Sequence, residues 1–264
     1  DTMLFDVGPY GDAWLDNAER LGIDIATIET VFLSHWHADH SGGFPTVIAA
    51  IAAARAGSGL PPPVVDVHPD RPDQRGILTP AGVLVLLPPE PTFDELETAG
   101  GAVEQHGDAH VVAELFYGSG RIDRVTEYET GLAGHHSFRG EDGEPDPLIM
   151  DERFLAAHVR GRGVTVLSAC SHAGIVNACL GAMDACPGAP IDVVLGGYHL
   201  AGKEMEARID DTIRDLLARI DPRVIAPGHC TGWRAKAALS AAFAPGRYAP
   251  SVVGSRYHLT AVRD

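Results

Sequence analysis

The chain has 264 residues, of which 45% are hydrophobic and 21% are charged, so its composition is that of a folded globular protein and excludes wholesale disorder. The formal net charge is −16, and so acidic a surface repels phosphate backbones and anionic lipids, which argues against nucleic acid and membranes as partners. No apolar stretch approaches the roughly 18 residues of a membrane span, and 4 cysteines are too few for a disulfide scaffold, so we expect a cytoplasmic protein with reduced thiols.

Short β-branched runs alternate with helical stretches along the chain, which is typical of an α/β fold. The predicted strands cover residues 2–5, 30–33, 64–67, 83–87, 164–167, 193–195 and 224–226. The predicted helices cover residues 12–21, 44–55, 174–185, 204–220 and 235–243. Glycine, proline and charged residues dominate much of the middle, where we interpret residues 118–150 as an irregular excursion. We expect one domain over residues 1–264, with pseudo-halves at 1–110 and 160–264.

Histidine is the unusual residue of this composition, with 13 copies, and several of them stand just after a predicted strand. In α/β sheets, ligands gather at the carboxyl ends of strands, so imidazoles placed there by separate strands can converge on one point. The strand-end histidines are His35, His172, His199 and His229.

The densest cluster is the segment His35-Trp36-His37-Ala38-Asp39-His40, which brings three imidazoles and a carboxylate into six positions. Neutral imidazole and carboxylate suit Zn²⁺, and they also suit Fe and Mn. In an extended turn His35 and His37 point the same way, and Asp39 and His40 then face a second point nearby. The segment therefore predicts two adjacent metal sites.

This segment, together with the upstream run Leu4-Phe5-Asp6-Val7-Gly8, resembles the metallo-β-lactamase superfamily. Later segments resemble the subgroup typified by dihydropterin-linked ribofuranosylaminobenzene 5′-phosphate synthases. These segments are 120–126, 146–148, Ser168-Ala169-Cys170-Ser171-His172-Ala173-Gly174, Gly196-Gly197-Tyr198-His199-Leu200 and Pro227-Gly228-His229-Cys230. The resemblance implies a metallo-β-lactamase-like four-layer αβ/βα sandwich. We expect its first N-terminal strands to be missing, because the superfamily usually has further strands before the one ending at Asp6.

The resemblance and the spacing together imply a ligand set for two divalent metal ions. The assignment is His35, His37 and His172 for the first ion, and Asp39, His40 and His229 for the second. His199 ends the strand on which the superfamily usually carries a bridging aspartate, so we expect it to be a metal ligand or a proton donor near the substrate. Asp6 is expected to orient a ligand histidine rather than to bind metal itself.

A pair of divalent metal ions, Zn²⁺ above all, lowers the pKa of bound water to about 7 and polarises the bond under attack. We therefore favour a hydrolase in which a metal-bound hydroxide attacks an ester, phosphoester or related small-molecule substrate, with Asp39 and His199 as catalytic residues. The subgroup resemblance implies an alternative, a transferase that joins a dihydropterin diphosphate to an aminobenzene ribose phosphate and expels diphosphate. A non-catalytic metal-binding relative is a third interpretation, and the intact ligand set argues against it.

Weaker candidates for substrate binding are polar residues away from the six-residue segment. They are His68, Arg121, Arg124, His135 and His136. The arginines would suit a substrate phosphate in an otherwise acidic protein. We interpret Cys170 and Cys230 as packing residues, expect a small-molecule substrate that includes phosphorylated compounds, and regard a homo-oligomer as compatible with the sequence.

Overall fold

The computed structural model describes residues 2–262. Tertiary contacts divide the chain into two compact units, each made of two separate stretches of sequence. The first unit comprises residues 2–115 and 132–151, and the second comprises residues 116–131 and 152–262. Within the described residues, no helix has both the length and the apolar character needed to cross a bilayer.

The first unit is built on two sheets. The strands of these sheets are β1 (Thr2–Phe5), β2 (Ile28–Phe32), β3 (Val64–Val67), β4 (Gln74–Leu78), β5 (Leu84–Pro89), β6 (Ala102–Gln105), β9 (His135–Arg139) and β10 (Asp142–Pro145). The short strand β7 (His110–Val112) also lies in this unit but belongs to neither sheet. The helices of the unit are α1 (Gly11–Leu21), α2 (Ala38–Ser41), α3 (Phe44–Gly57) and α4 (Phe93–Thr98). One sheet is parallel, in the order β1-β2-β3-β6, and the other is antiparallel, in the order β10-β9-β4-β5.

The core of the first unit holds the end of β2 in place. Helix α3 has Pro45 in its first turn, where the fixed φ of proline suits a helix, and it is otherwise rich in alanine. Its buried residues Ile48 and Ile51 belong to one hydrophobic cluster with Val31 and Trp36. Since Val31 lies in β2 and Trp36 lies just beyond it, this cluster fixes the chain on both sides of His35.

The second unit is built on one mixed sheet. Its strands are β8 (Phe116–Gly118), β11 (Leu155–Val159), β12 (Gly163–Ser168), β13 (Ile191–Gly197) and β14 (Val224–Gly228). Its helices are α5 (Ile175–Ala185), α6 (Lys203–Glu206), α7 (Ile209–Asp215), which continues as the π-helical segment Leu216–Ile220, and α8 (Trp233–Ala242). The strand order is β14-β13-β12-β11-β8, with β12, β13 and β14 parallel and β11 antiparallel to both neighbours. The carboxyl ends of the three parallel strands therefore lie at one edge of the sheet.

The α/β prediction is confirmed, and every predicted strand overlaps an observed strand. The predicted helix over residues 204–220 is interrupted between α6 and α7, because an amphipathic period marks a buried face and carries no signal for a local turn. Residues 118–150 are not wholly irregular, because β9 and β10 form a hairpin there that pairs with β4. Strand β4 is not predicted from the sequence, because it begins with polar residues and lacks a β-branched run. The four-layer arrangement, the missing N-terminal strands and the single domain stay predictions.

Candidate metal centre

The histidines of the segment His35–His40 come together in the first unit. The segment leaves β2 and turns into α2, with the His37 amide donating to the His35 carbonyl at 3.0 Å and the His40 amide donating to the His37 carbonyl at 2.7 Å. This turn brings the ring centroid of His35 to 4.7 Å from that of His37 and to 4.4 Å from that of His40. All three histidines are buried, whereas the Asp39 side chain is 54% exposed and lies 3.5 Å from His40 Nε2.

Asp6 fixes the orientation of two of these rings. It follows β1 with a φ of 57°, and its carboxylate accepts hydrogen bonds at 2.7 Å from the Ser34 amide, the Ser34 hydroxyl and His40 Nδ1. Because the single hydroxyl proton of Ser34 is donated to Asp6, the contact of 2.8 Å between Ser34 Oγ and His35 Nδ1 requires the proton of the imidazole. In their neutral forms, His35 and His40 thus carry the proton on Nδ1 and present a lone pair on Nε2.

A second chain of hydrogen bonds fixes the ring of His37. His135 Nδ1 lies 2.8 Å from the backbone carbonyl of Asp146, which can only accept, so Nδ1 is protonated. Burial, reinforced by the positive charge of Arg75, lowers the pKa of His135 and keeps its ring neutral. His135 Nε2 is then an acceptor for His37 Nε2, 2.8 Å away, and the neutral His37 presents its lone pair on Nδ1.

The two lone pairs face each other. His35 Nε2 and His37 Nδ1 are 2.9 Å apart, and each is the unprotonated nitrogen of its ring. Two such nitrogens repel unless a proton or a metal cation lies between them, and neutral imidazole nitrogen is the form of histidine that binds metal. The donors of the first unit therefore fit a divalent metal ion.

The backbone between these two rings is held by a buried ion pair that no sequence pattern indicated. The Trp36 amide donates to Asp151 at 2.7 Å, and Arg75 Nε donates to the Trp36 carbonyl. Arg75 also binds Asp151 at 2.5 Å and Asp146 at 2.8 Å, and the side chain of Arg75 is only 1% exposed. Both polar groups of the Trp36 residue are thus fixed between His35 and His37. The only sequence signal for this ion pair is an arginine within a short strand, and its burial becomes apparent only in the folded structure.

The second unit gathers its histidines at the edge formed by β12, β13 and β14. His172, His199 and His229 follow the three parallel strands in turn, and the ring centroids of His172 and His199 are 4.3 Å apart. His199 and His229 adopt left-handed backbone conformations, with φ of 47° and 40°. Non-glycine residues rarely adopt such conformations, and strain of this kind is concentrated at functional sites.

Two thiols lie among these histidines. Cys170 Sγ is 3.4 Å from Cys230 Sγ, and the donor atoms of Cys170, His172 and His199 lie within 4.8 Å of one another. The hydrogen bond between Cys230 and Cys170, with smaller contributions from His199 and His229, holds the pKa of the Cys230 thiol well below its usual range, against the opposing effect of burial. A Cβ atom on Gly197 would lie 2.7 Å from Cys230 Sγ, so glycine is needed for this approach.

Two buried glutamates position the chain beside His172. Glu152 accepts hydrogen bonds from the amides of His172 at 2.8 Å and Ala173 at 2.6 Å. Glu129 accepts hydrogen bonds from amides in the first turn of α5, where negative charge is favourable. Burial raises the pKa of both carboxyl groups.

The five weaker candidates for substrate binding lie in different surroundings. His135 joins the six-residue segment through His37, whereas His136 hydrogen-bonds to the Gly134 carbonyl at 2.9 Å and does not join it. His68 accepts a hydrogen bond from the Asp70 amide at 3.1 Å. In the second unit, Arg121 is 72% exposed beside Asp123, and burial lowers the pKa of Arg124.

The chain is similar to known proteins over most of its length. The family model of the metallo-β-lactamase superfamily matches residues 1–199. The chain is 25% identical over 237 residues to 7,8-dihydropterin-6-methyl-4-(β-D-ribofuranosyl)-aminobenzene-5′-phosphate synthase of Methanocaldococcus jannaschii, covering 89% of this chain and 76% of that protein. It is 32% identical over 95 residues to the lactamase-like protein vrtG of Penicillium aethiopicum, covering 36% of this chain and 31% of that protein.

Among solved structures, the chain is similar to an isothiocyanate hydrolase from Delia radicum gut bacteria. The sequence identity is 12%, the TM-score is 0.47, and the match covers 89% of this chain and 78% of the hydrolase. A TM-score this low adds nothing to the functional argument, which rests on the family model and on the residues themselves. With the family model spanning most of its length, the chain belongs to the metallo-β-lactamase superfamily.

Proposed function

We propose that the chain is a divalent-metal-dependent hydrolase that acts on an ester, phosphoester or related small-molecule substrate. The observation that carries the proposal is the pair of facing lone pairs on His35 Nε2 and His37 Nδ1, 2.9 Å apart. Membership of the metallo-β-lactamase superfamily supports it. When bound, divalent metal ions acidify water and polarise the bond that is attacked.

The proposed ligands are those that the family resemblance implies. The ligand set is His35, His37 and His172 for one ion, and Asp39, His40 and His229 for the other. In the first unit, the support is the fixed proton position of each ring. In the second unit, the support is the grouping of the histidines at the carboxyl ends of β12–β14. Zn²⁺ is the proposed metal, because imidazole nitrogens predominate among the donors, and Fe and Mn are the alternatives.

The chain's own side chains have distinct roles in this proposal. Asp6 and His135 keep the ligand rings in the correct tautomer, and the exposed carboxylate of Asp39 is available to orient water and accept its proton. His199 Nδ1 is buried and has no hydrogen-bond partner among residues 2–262, so it is suited to contact the metal or to donate a proton to a leaving group. No serine or cysteine nucleophile is required.

A second candidate function is a transfer reaction of the kind that the synthase from Methanocaldococcus jannaschii suggests. The similarity to that protein over 89% of this chain favours it. In such a reaction a dihydropterin diphosphate would lose diphosphate as its carbon–oxygen bond breaks, and an aminobenzene ribose phosphate would form the new bond and release a proton. The same side chains would then hold metal ions whose role is to bind the diphosphate rather than to activate water.

One set of assays separates the two candidates. The metal-loaded protein is incubated with generic ester and phosphodiester substrates, and separately with the dihydropterin diphosphate and the aminobenzene ribose phosphate. The hydrolase proposal requires turnover of the first group that a chelator abolishes. Diphosphate release that depends on both substrates would instead establish the transferase. Absence of both activities in protein that retains its metal would contradict both.

His35→Ala is the test variant for these assays, and His158→Ala is the matched control. His158 is an exposed histidine on β11 that pairs with Val164 near the start of β12, at the opposite end of that strand from His172. Activity should be lost in the first variant and kept in the second. Equal activity in the two would show that the measured turnover does not come from this centre.

A further inference from the structure

A second group of metal-ligating side chains lies in the first unit, outside the candidate centre. Asp66 is in β3, His106 directly follows β6, and His110 is the first residue of β7. Strands β3 and β6 are parallel neighbours, and the His106 amide donates to the Val67 carbonyl at 3.0 Å. The pairing of the strands therefore places these residues together.

Both histidines contact the same carboxylate oxygen. His110 Nε2 lies 2.6 Å from Asp66 Oδ2, and His106 Nδ1 lies 3.2 Å from the same atom. The two rings are stacked, with centroids 3.9 Å apart and an interplanar angle of 19°. The Asp66 side chain is 3% exposed, whereas the side chains of His106 and His110 are 33% and 18% exposed, so the group has a buried carboxylate and a solvent-facing rim.

The hydrogen bonds of His110 favour a positive charge beside its Nε2. His110 Nδ1 lies 3.1 Å from the backbone carbonyl of Asp108, which can only accept, so Nδ1 carries a proton. In a neutral ring, Nε2 then directs a lone pair at the carboxylate of Asp66. A second proton would relieve this repulsion at His110 alone. A divalent cation would satisfy the nitrogens of both stacked rings and the shared oxygen together.

We propose that Asp66, His106 and His110 bind a divalent transition-metal ion, with Zn²⁺ as the reference metal. Two imidazole nitrogens and one carboxylate oxygen form a donor set typical of such ions, and the exposed rim leaves room for water to complete the coordination. None of the three residues belongs to the ligand set of the candidate centre. The site goes beyond the proposed function and would link the ends of β3 and β6.

The first test is a count of bound zinc in the full-length protein. The variant His106→Asn/His110→Asn is compared with the wild type and with His158→Asn, each equilibrated at the same free zinc concentration and analysed for metal. The double variant should bind one zinc ion fewer than the wild type, and the control should bind as many. An equal count in all three proteins would overturn the proposal. Because His106 and His110 lie outside the centre, hydrolysis or transfer measured in parallel should be retained.

The second test uses the unmodified protein and so does not depend on the folding of a variant. Two-dimensional ¹H–¹⁵N spectra of the histidine side chains report the proton on each ring nitrogen during a zinc titration. With zinc bound, His110 should be a neutral ring that carries its proton on Nδ1 and is bound through Nε2. A His110 that stays an imidazolium, while the rings of the candidate centre respond to zinc, would overturn the proposal and establish an ion pair with Asp66 in its place.

Discussion

The two units hold their candidate ligands by different physical means. In the first unit, side-chain and backbone acceptors fix the proton, and hence the lone pair, of His35, His37 and His40. In the second unit, left-handed backbone conformations set the positions of His199 and His229. The comparison teaches that a histidine can be oriented for metal binding in two ways: hydrogen bonds can fix the proton on its ring, or the backbone conformation can fix its position. The first unit should therefore keep its ring orientations without metal. In the second unit, each left-handed residue costs about 1–3 kcal/mol of backbone strain, so we expect these histidines to hold their positions less firmly until a bound ion stabilises them.

The most severe way to break the first-unit arrangement is His37→Ala. It removes one of the facing nitrogens, and we expect activity to be abolished. The stabilisation that bound metal gives the folded state should also fall, by as much as about 4 kcal/mol where free metal exceeds its Kd about a thousandfold. Melting curves with and without chelator measure the effect. If chelator lowered the melting temperature of the variant by as much as that of the wild type, the assignment of His37 as a ligand would be contradicted.

His199→Ala tests the second-unit arrangement in the same way. We expect a reduced metal stoichiometry, because His199 lies two residues beyond β13, near the place where the family resemblance implies a bridging aspartate, and because Gly196 and Gly197 allow close approach. If His199 acts instead as a proton donor, metal content is retained and the rate falls by about 10²–10⁴-fold. Metal analysis and kcat on one preparation distinguish the two. Full metal content with an undiminished rate would leave His199 with neither role.

Arg75→Ala tests whether the first unit depends on its buried ion pair. It leaves the Asp151 carboxylate uncompensated at 2% exposure, which should lower the free energy of unfolding by about 3–5 kcal/mol. Urea unfolding in the presence of chelator isolates the effect from metal binding. Arg139→Ala is the control, since its pair with Asp70 is 56% and 59% exposed and should contribute at most about 1 kcal/mol. Equal losses in the two variants would refute the role assigned to Arg75.

Glu90 gives the first unit a pH dependence. Burial raises the pKa of Glu90 from 4.5 to about 7, with Asp151 and Asp39 adding to the rise and Ser41 and Arg75 opposing it. The folded state therefore holds a proton that the unfolded state releases. The contribution of Glu90 to the free energy of unfolding is fully present below pH 4.5 and is lost as the pH rises through about 7, by an amount on the order of 3 kcal/mol.

Glu90→Gln keeps this position neutral at every pH. In chelated protein, its unfolding free energy should vary less between pH 4.5 and pH 7 than that of the wild type and should exceed the wild-type value at pH 8. Urea titrations across this range measure both quantities. Parallel curves for the two proteins would exclude Glu90 as the source of the dependence.

The smallest expected effect is that of Asp6→Asn. The amide keeps one oxygen acceptor, but its NH₂ group must face Ser34 or His40, so one ring loses its fixed proton position. We expect metal affinity to fall by about 10–100-fold, as is usual when a group behind a ligand is altered. Competition with a chromophoric chelator measures the affinity. Asp16→Asn, an exposed position on α1, should leave it unchanged.

Features with strong local signals could be predicted from the sequence. The β-branched strands, the alanine-rich α3 and the histidines at strand ends all have the periods or spacings of their structures. Asp6 was also identifiable, because it stands at a strand end before the six-residue segment. These features depend on neighbours in sequence, and local patterns report them well.

The supporting contacts could not be predicted, because they join distant parts of the chain. His37 and His135 are 98 residues apart, Arg75 and Asp151 are 76 apart, and Cys170 and Cys230 are 60 apart. The glycine-rich surroundings of His135 predict a substrate-binding residue, and only the fold shows its contact with His37. Strand β4, which carries Arg75, lacks the alternation that would have marked its inward face.

The contact between the Trp36 amide and Asp151 spans 115 residues, and this fixes an order of events during synthesis. A chain emerging from the ribosome exposes its histidine segment long before Asp146 and Asp151 are made, and it has traversed part of the second unit in the meantime. Until then the ring of His37 lacks His135, the acceptor that sets its tautomer, whereas Asp6 and Ser34 are already present for His35 and His40. The proposed centre is therefore complete only after the last stretch of the first unit has been synthesised, so we expect metal binding to the finished arrangement to belong to a late stage of folding.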